Sequence, residues 1–378
     1  MISSVVAKIL PAGATPEAIK HFIESHQFPI VENNTVTFVF VGEAQQVELR
    51  HWIYGLPSSI PLARLERTNV WYRTVEFPLG SRIEYKFGVT RSGHNQWIHD
   101  PLNPNIAHDP FGGNSVVHSC GYRIPEWSYH NEQSRSGHLI DLEIPSRAFG
   151  DARKIRVYVP AKYRDYRRYR LVIVHDGDDY LRYSSLKNVL DNLIHRLEIP
   201  QLIVALTNPG NRLQEYADDP RHADHLVNEV LPTLETRFPL ITDPAGRCLA
   251  GASFGGVASL ATAWRYPGVF GSLLLQSGSF AFTDIGDHNR SPAFDPVVKF
   301  MNQFRRNPGD FTKRIFLSCG VYESLIYENR SMYAFLNQLG IDTKFSEAFD
   351  GHNWENWRDR LRDALSWLYP GPLWVTYM

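Results

Sequence analysis

Ser253 stands in the run Gly251-Ala252-Ser253-Phe254-Gly255-Gly256, which fits the pattern G-x-S-x-G. A serine hydroxyl hardly ionises near neutral pH. As a nucleophile it needs a general base within hydrogen-bond reach and a third group to orient that base. Its neighbours give the pattern context: the apolar run Cys248-Leu249-Ala250 precedes it, and the helix-compatible run from Val257 to Trp264 follows. A strand ending in a sharp turn that opens a helix lifts the serine Oγ above the sheet edge. Glycines flank it because a Cβ there would meet the neighbouring strand and helix. The competing interpretation is a purely structural glycine turn.

When the partners follow in the order Ser, acid, His, the base lies on the loop after the last strand. Of 15 histidines, only His288 and His352 lie downstream of Ser253. A lone histidine is more often a surface or core residue, and His288 sits in a polar stretch, 284–290, that reads as exposed loop. His352 follows the strand pattern Thr343–Ala348 and precedes a helix, which selects it as the base. The acid should follow the preceding strand, Arg314–Ser318, and Glu323 lies there, able to accept from His352 Nδ1. Asp350, close to His352 along the chain, and Asp342, which suits a turn, are the alternatives. The backbone N–H of Phe254, with that of Asp178 in His175-Asp176-Gly177-Asp178-Asp179, supplies the expected oxyanion donors. Adjacent acidic residues rarely converge on one ion, so no metal is expected, and acyl transfer through Ser253 requires no cofactor.

Two kinds of pattern must position these groups. From Ile155 onward, strands and helices alternate, with strands at Leu171–His175, Leu202–Leu206, Arg247–Gly251 and Gly271–Gln276, and helices including Leu186–Leu197, Ala223–Phe238 and Trp354–Leu368. That alternation implies a mainly parallel sheet flanked by helices, an α/β-hydrolase fold. Before it, a helix is expected at Thr15–His26, capped by Thr15. Strand patterns at Thr35–Val41, Gln46–Ile53, Val70–Phe77 and Arg82–Val89, without long helices between them, then suggest a small all-β, immunoglobulin-like sandwich. The expected boundaries are residues 1–120 for the sandwich, 121–136 for a linker and 137–378 for the catalytic domain.

Composition narrows the partners. The chain has 378 residues, 43% of them hydrophobic and 21% charged, with a formal net charge of -1. That balance gives no reason to expect nucleic acid. Three scattered cysteines, Cys120, Cys248 and Cys319, show neither metal-ligand nor disulfide-framework spacing. The N-terminal stretch MISSVVAKILPAGATPEA makes a poor secretory signal, and no apolar run reaches the roughly 18–20 residues a membrane span needs. A cytoplasmic protein acting on a small-molecule ester, with no membrane partner, is the expectation. The oligomeric state has no signature in the sequence.

Several of these residues resemble the enterochelin (enterobactin) esterase family of α/β-hydrolases. The resemblance runs through Asp176-Gly177, Arg212-Leu213-Gln214-Glu215, Glu229-Val230-Leu231-Pro232 and the elbow Gly251–Gly256. It continues in Tyr266-Pro267 to Ser272, Gln276-Ser277-Gly278-Ser279-Phe280, Gly320–Glu323 with Asn329-Arg330, and Gly351-His352-Asn353-Trp354-Glu355-Asn356-Trp357-Arg358. Val70-Trp71-Tyr72-Arg73-Thr74 and Asp100-Pro101-Leu102-Asn103-Pro104 are similar to that family's N-terminal sandwich. The resemblance implies hydrolysis of a ferric catecholate-siderophore ester after uptake. Such a substrate is anionic, so Arg212, Arg330 and Arg358 become candidate binding residues, with Trp357 a candidate pocket wall. Feruloyl or acetyl-carbohydrate esters are the alternative substrates, and a non-catalytic binding protein of the same fold is a further alternative.

Overall fold

Turn residues divide the first 120 residues into short aromatic and β-branched runs, and these pair into two antiparallel sheets. The computed structural model describes residues 5–283 and 287–372. The start of the N-terminal stretch and residues 284–286 of the polar stretch near His288 therefore lie outside the described residues. One sheet has the strand order Ile30–Glu32, Thr35–Val41, Val70–Glu76, Ala63–Arg64. The other runs Ser59–Pro61, Gln46–His51, Arg82–Arg91, Gly112–His118, Ile106–Asp109, with His94–Ile98 also on Arg82–Arg91.

Period-two alternation builds the sandwich. Val36, Phe38 and Phe40 of one sheet join Val47, Leu49, Tyr85 and Phe87 of the other in a single apolar cluster. Val39 points the opposite way and is covered by Ile19 and Phe22 of the helix Pro16–Ser25. Thr15 caps that helix, its Oγ1 accepting from the Ala18 N–H at 3.3 Å, as the sequence predicts.

By packing, the chain divides into two units. The first is Met1–Ile124 together with two loops from far along the chain, Gly320–Ser324 and Ala348–Asn353, and the second is the remainder. Tyr322, from the first of those loops, is a member of the sandwich's apolar cluster.

The second unit is built on eight strands: β1 (His138–Pro145), β2 (Ala152–Val159), β3 (Arg170–His175), β4 (Leu202–Thr207), β5 (Arg247–Ala252), β6 (Ser272–Gln276), β7 (Arg314–Gly320) and β8 (Asp342–Ala348). Their order is β1-β2-β4-β3-β5-β6-β7-β8. The pairs β1/β2 and β2/β4 are antiparallel, whereas β4, β3, β5, β6 and β7 run parallel. Near-continuous apolar runs are what a sheet covered on both faces requires. Leu171 and Ile173 of β3 enter one helix-covered cluster, while Val172 and Val174 enter the other. This is the α/β-hydrolase architecture with an N-terminal β-domain that the sequence predicts. Among its helices, α1 (Gly177–Tyr183), α2 (Phe254–Arg265) and α3 (Trp354–Leu368) bear on the site. Among the described residues no helix is long and apolar enough to cross a membrane.

Two elements differ from expectation. The single helix predicted over Ala223–Phe238 is instead Pro220–His225, a π-turn at Leu226–Val230 and Leu231–Arg237. Pro232 has no N–H to donate, and the wider turn absorbs the missing rung. Strand β1 has no counterpart in the sequence reading. It is the edge strand beside β2, and of its side chains only Leu142 and Ile144 are buried, so its apolar run is short.

Candidate active site

Strand β5 ends at Ala252, and α2 begins at Phe254, so Ser253 is the entire turn between them. Its backbone sits at φ 58°, ψ -122°, a region that side chains with a Cβ rarely occupy. Three backbone hydrogen bonds hold it there. The Ser253 N–H donates to Gln276 O at 2.9 Å, while its carbonyl accepts from Gly256 at 3.1 Å and Ser279 at 3.2 Å. A Cβ at Gly251 would come within 2.4 Å of Gly255 O, so that glycine is demanded by close approach. Ser253 Oγ lies 3.2 Å from Ser279 Oγ.

Behind the turn, the segment after β6 is fixed by side chains. Tyr180 OH of α1 donates to Gln276 Oε1 at 2.8 Å, and Gln276 Nε2 donates to Trp357 O at 2.8 Å. Trp357 Nε1 donates to Ser277 Oγ at 2.9 Å, and Asn329 Nδ2 donates to Gly278 O at 2.9 Å. Ser277 to Phe280 enter the sequence reading only through a family pattern; the structure places Ser279 beside Ser253.

The groups expected to serve Ser253 as base and acid come together in the first unit. His352 Nδ1 lies 2.6 Å from Glu323 Oε2 across 29 residues of chain. The carboxylate of Glu323 is almost fully buried, and its other oxygen accepts the Gly320 N–H at 2.7 Å. A carboxylate can only accept when ionised, so Nδ1 carries the imidazole proton and the lone pair falls on Nε2. That is the tautomer a general base requires. The two alternative acids are engaged elsewhere: Asp350 with Arg82 at 3.3 Å and Asp342 with Arg314 at 3.0 Å. His288 pairs with Asp295 at 2.8 Å.

The other expected site residues are distributed as follows. Phe254 is the first residue of α2, where a backbone N–H has no intrahelical partner. The Asp178 N–H donates to Asn208 Oδ1 at 3.1 Å. Arg212 makes a forked contact with Asp176, with Nε 2.9 Å from Oδ1 and Nη2 2.8 Å from Oδ2. Arg330 forks onto Glu347 through two bonds of 2.7 Å and remains 44% exposed. Trp357 is buried, and Arg358 donates to Asp359 Oδ1 at 2.8 Å.

One feature close to the elbow carried no signal in the sequence. His175, at the end of β3, and His222 are buried with their Nε2 atoms 3.0 Å apart. His175 Nδ1 is 3.0 Å from the Ala250 carbonyl, which can only accept, so the proton sits on Nδ1. Its Nε2 then accepts from His222. Burial pushes His175 down to about 4, despite the Ala250 bond, and pushes His222 well below the ordinary imidazole range, helped by the neighbouring His175. Both rings are therefore neutral at pH 7 and act as packing.

This arrangement has relatives. The family model described as "Putative esterase" matches residues 146–368, more than half of the chain. The chain belongs to the esterase family. As a family member it is a carboxylic ester hydrolase. It is 28% identical over 203 residues to an iron(III) enterobactin esterase of Escherichia coli O6:H1, a match spanning 52% of this chain and 48% of that protein. Over 191 residues it is 23% identical to an acetyl esterase of Caldicellulosiruptor saccharolyticus, covering 44% of this chain and 71% of that protein. In structure it is similar to the enterobactin esterase from Shigella flexneri, with a TM-score of 0.72 and 20% identity, covering 92% of this chain and 98% of that one.

Proposed function

We propose that this esterase works through Ser253 as nucleophile, His352 as general base and Glu323 as the acid that orients it, and that its substrate is the ester of a ferric catecholate siderophore in the cytoplasm. The observation that carries the catalytic assignment is the bond between His352 Nδ1 and the buried Glu323 carboxylate. It fixes the tautomer that can accept a proton at Nε2.

Ser253 Oγ bonds to the ester carbonyl carbon as its proton passes to His352 Nε2, and Glu323 stabilises the resulting imidazolium. The tetrahedral oxyanion takes hydrogen bonds from the Phe254 N–H and from the Asp178 N–H, which exchanges Asn208 for substrate. One such donor is worth about 3 kcal/mol in other serine hydrolases. Collapse breaks the carbon–alkoxy bond, and the alcohol leaves with the proton held by His352. Water then repeats the sequence on the acyl-enzyme, regenerating Ser253.

Support for the siderophore ester is the likeness to enterobactin esterases in both sequence and fold, the latter along almost the whole chain. A feruloyl or acetyl ester is the second reading, favoured by the match to an acetyl esterase over most of that protein. Of Arg212, Arg330 and Arg358, Arg330 has the most exposed side chain for an anionic substrate to meet. The test compares hydrolysis of apo and ferric enterobactin with that of feruloyl and short acyl esters, with Ser253→Ala as control. Dihydroxybenzoyl-serine products that vanish in the variant bear out the reading. An intact siderophore alongside rapid cleavage of the other esters overturns the substrate and leaves the nucleophile.

A further inference from the structure

The two loops that carry Glu323 and His352 are anchored from one place in the first unit, the start of the strand Arg82–Arg91. Arg82 is 2% exposed, one of the largest fully buried side chains among the described residues. Its Nη1 lies 3.0 Å from Glu84 Oε1 and 3.3 Å from Asp350 Oδ1, and its backbone N–H donates to Phe349 O at 2.9 Å. Asp350 Oδ1 also accepts from the Gly351 N–H and from Asn353 Nδ2, each at 2.7 Å. His352 is thus bracketed by groups bound to the carboxylate that Arg82 holds.

The neighbouring residue anchors the other loop. Ser81 Oγ is 2.6 Å from Tyr322 OH, the Tyr322 carbonyl accepts from the Tyr54 N–H at 2.8 Å, and Glu323 follows directly. The Tyr322 N–H in turn donates to Asp350 O at 3.1 Å, tying the two loops together.

We propose that Arg82 is a positioning residue for the ester hydrolysis: through Asp350 it fixes the 348–353 loop so that His352 stays in register with Glu323. This rests on reading Glu323 and His352 as the catalytic acid and base. A buried guanidinium is costly, and an apolar side chain of similar volume is often neutral or better for stability. What such a substitute cannot do is hold a carboxylate in one orientation. Here that carboxylate organises the backbone on both sides of the base. Burial pushes Asp350 up to about 6 against the pull of Arg82, Asn353 and Gly351, with Glu84 adding to the rise, so the loop depends on the guanidinium to keep this group ionised near neutrality.

The experiment measures kcat and KM on a simple aryl ester for R82M, R82K, D350N and R82M/D350N, per active site counted by fluorophosphonate labelling. We expect R82M and D350N to lower kcat by about tenfold to a hundredfold, the cost of a misplacement near 1 Å, with KM within about twofold. R82K should recover part of the loss, and the double variant should be no worse than R82M. Unchanged kcat per labelled site, with only the melting temperature lowered, overturns the proposal. Should R82M fail to fold, the isosteric D350N carries the same test. Glu323→Gln and His352→Ala run alongside: near-wild-type turnover in those two overturns the acid–base reading itself, whereas their inactivity with R82M and D350N intact overturns only the role of Arg82.

Discussion

The turn at Ser253 and the Glu323–His352 pair are held by different means. Ser253 is fixed by backbone: three main-chain hydrogen bonds, a strand on one side, a helix on the other and a glycine where no Cβ fits. Glu323 and His352 sit on loops held by backbone and side-chain contacts from far along the chain, with Arg82 and Asp350 separated by 268 positions and Ser81 and Tyr322 by 241. A backbone device is short and local, so it leaves a motif. A side-chain device leaves scattered residues whose only common property is burial.

The largest expected effect tests the backbone half. Ser253→Ala should lower kcat by on the order of 10⁵- to 10⁶-fold while leaving the melting temperature near wild type, measured by ester hydrolysis and circular dichroism. Residual turnover above a thousandth would mean that the turn does not present the nucleophile. On the side-chain half, Glu323→Gln should cost about 10⁴-fold in kcat with little change in KM, because an amide no longer selects the Nδ1–H tautomer. A loss under tenfold would mean that His352 is oriented by something else.

Acid should separate the two units. The folded pKa of His175 lies at about 4 against an unfolded value of 6.5, so the unfolded chain binds protons first. Stability is therefore lost as pH falls from 6.5 towards 4, by on the order of 3 kcal/mol for His175, with His222 adding in the same direction. In the first unit, burial raises Asp100 and Asp350 to about 6, so there the folded state binds protons first and gains stability as pH falls through 6. His51, pushed down by burial and Arg50, opposes them in part. Hydrogen exchange at pH 7 and pH 5 should show protection lost in β3 and β5 before the strands Gln46–His51 and Arg82–Arg91. The reverse order would reject this assignment.

Smaller effects refine the contrast. Gly251→Ala should destabilise by about 1–3 kcal/mol, since its Cβ would meet Gly255 O at 2.4 Å, and denaturant melts should record it alongside reduced turnover. A neutral result would show that the turn can relax. Arg330→Ala removes a partly exposed pair with Glu347 and should cost under about 1 kcal/mol. Its KM for an anionic ester, compared with a neutral one, tests the proposed contact with substrate.

How much of this was legible follows the same division. Ser253, its strand and its helix could be read because their requirements sit within a dozen residues. That Glu323 and His352 would pair could be read from order and from the strands before them. Arg82 could not: in sequence it is one more basic residue in an alternating strand, and only the fold shows it buried between two carboxylates. The π-turn at Leu226–Val230 escaped because one proline inside a periodic run does not announce how the helix will accommodate it. The His175–His222 contact escaped because the two rings lie 47 residues apart on different elements.

The composition of the first unit also bears on synthesis. Residues 1–124 leave the ribosome long before Gly320–Ser324 and Ala348–Asn353, yet those late loops supply Tyr322 to the sandwich's apolar cluster and Asp350 to Arg82. Domains generally form in the order they emerge. This one reaches its finished state only after residues 320–324 and 348–353 have been made. Residues 1–124, made before those loops, are thus completed only with them, and a fragment ending at residue 124 lacks two pieces of its own interior.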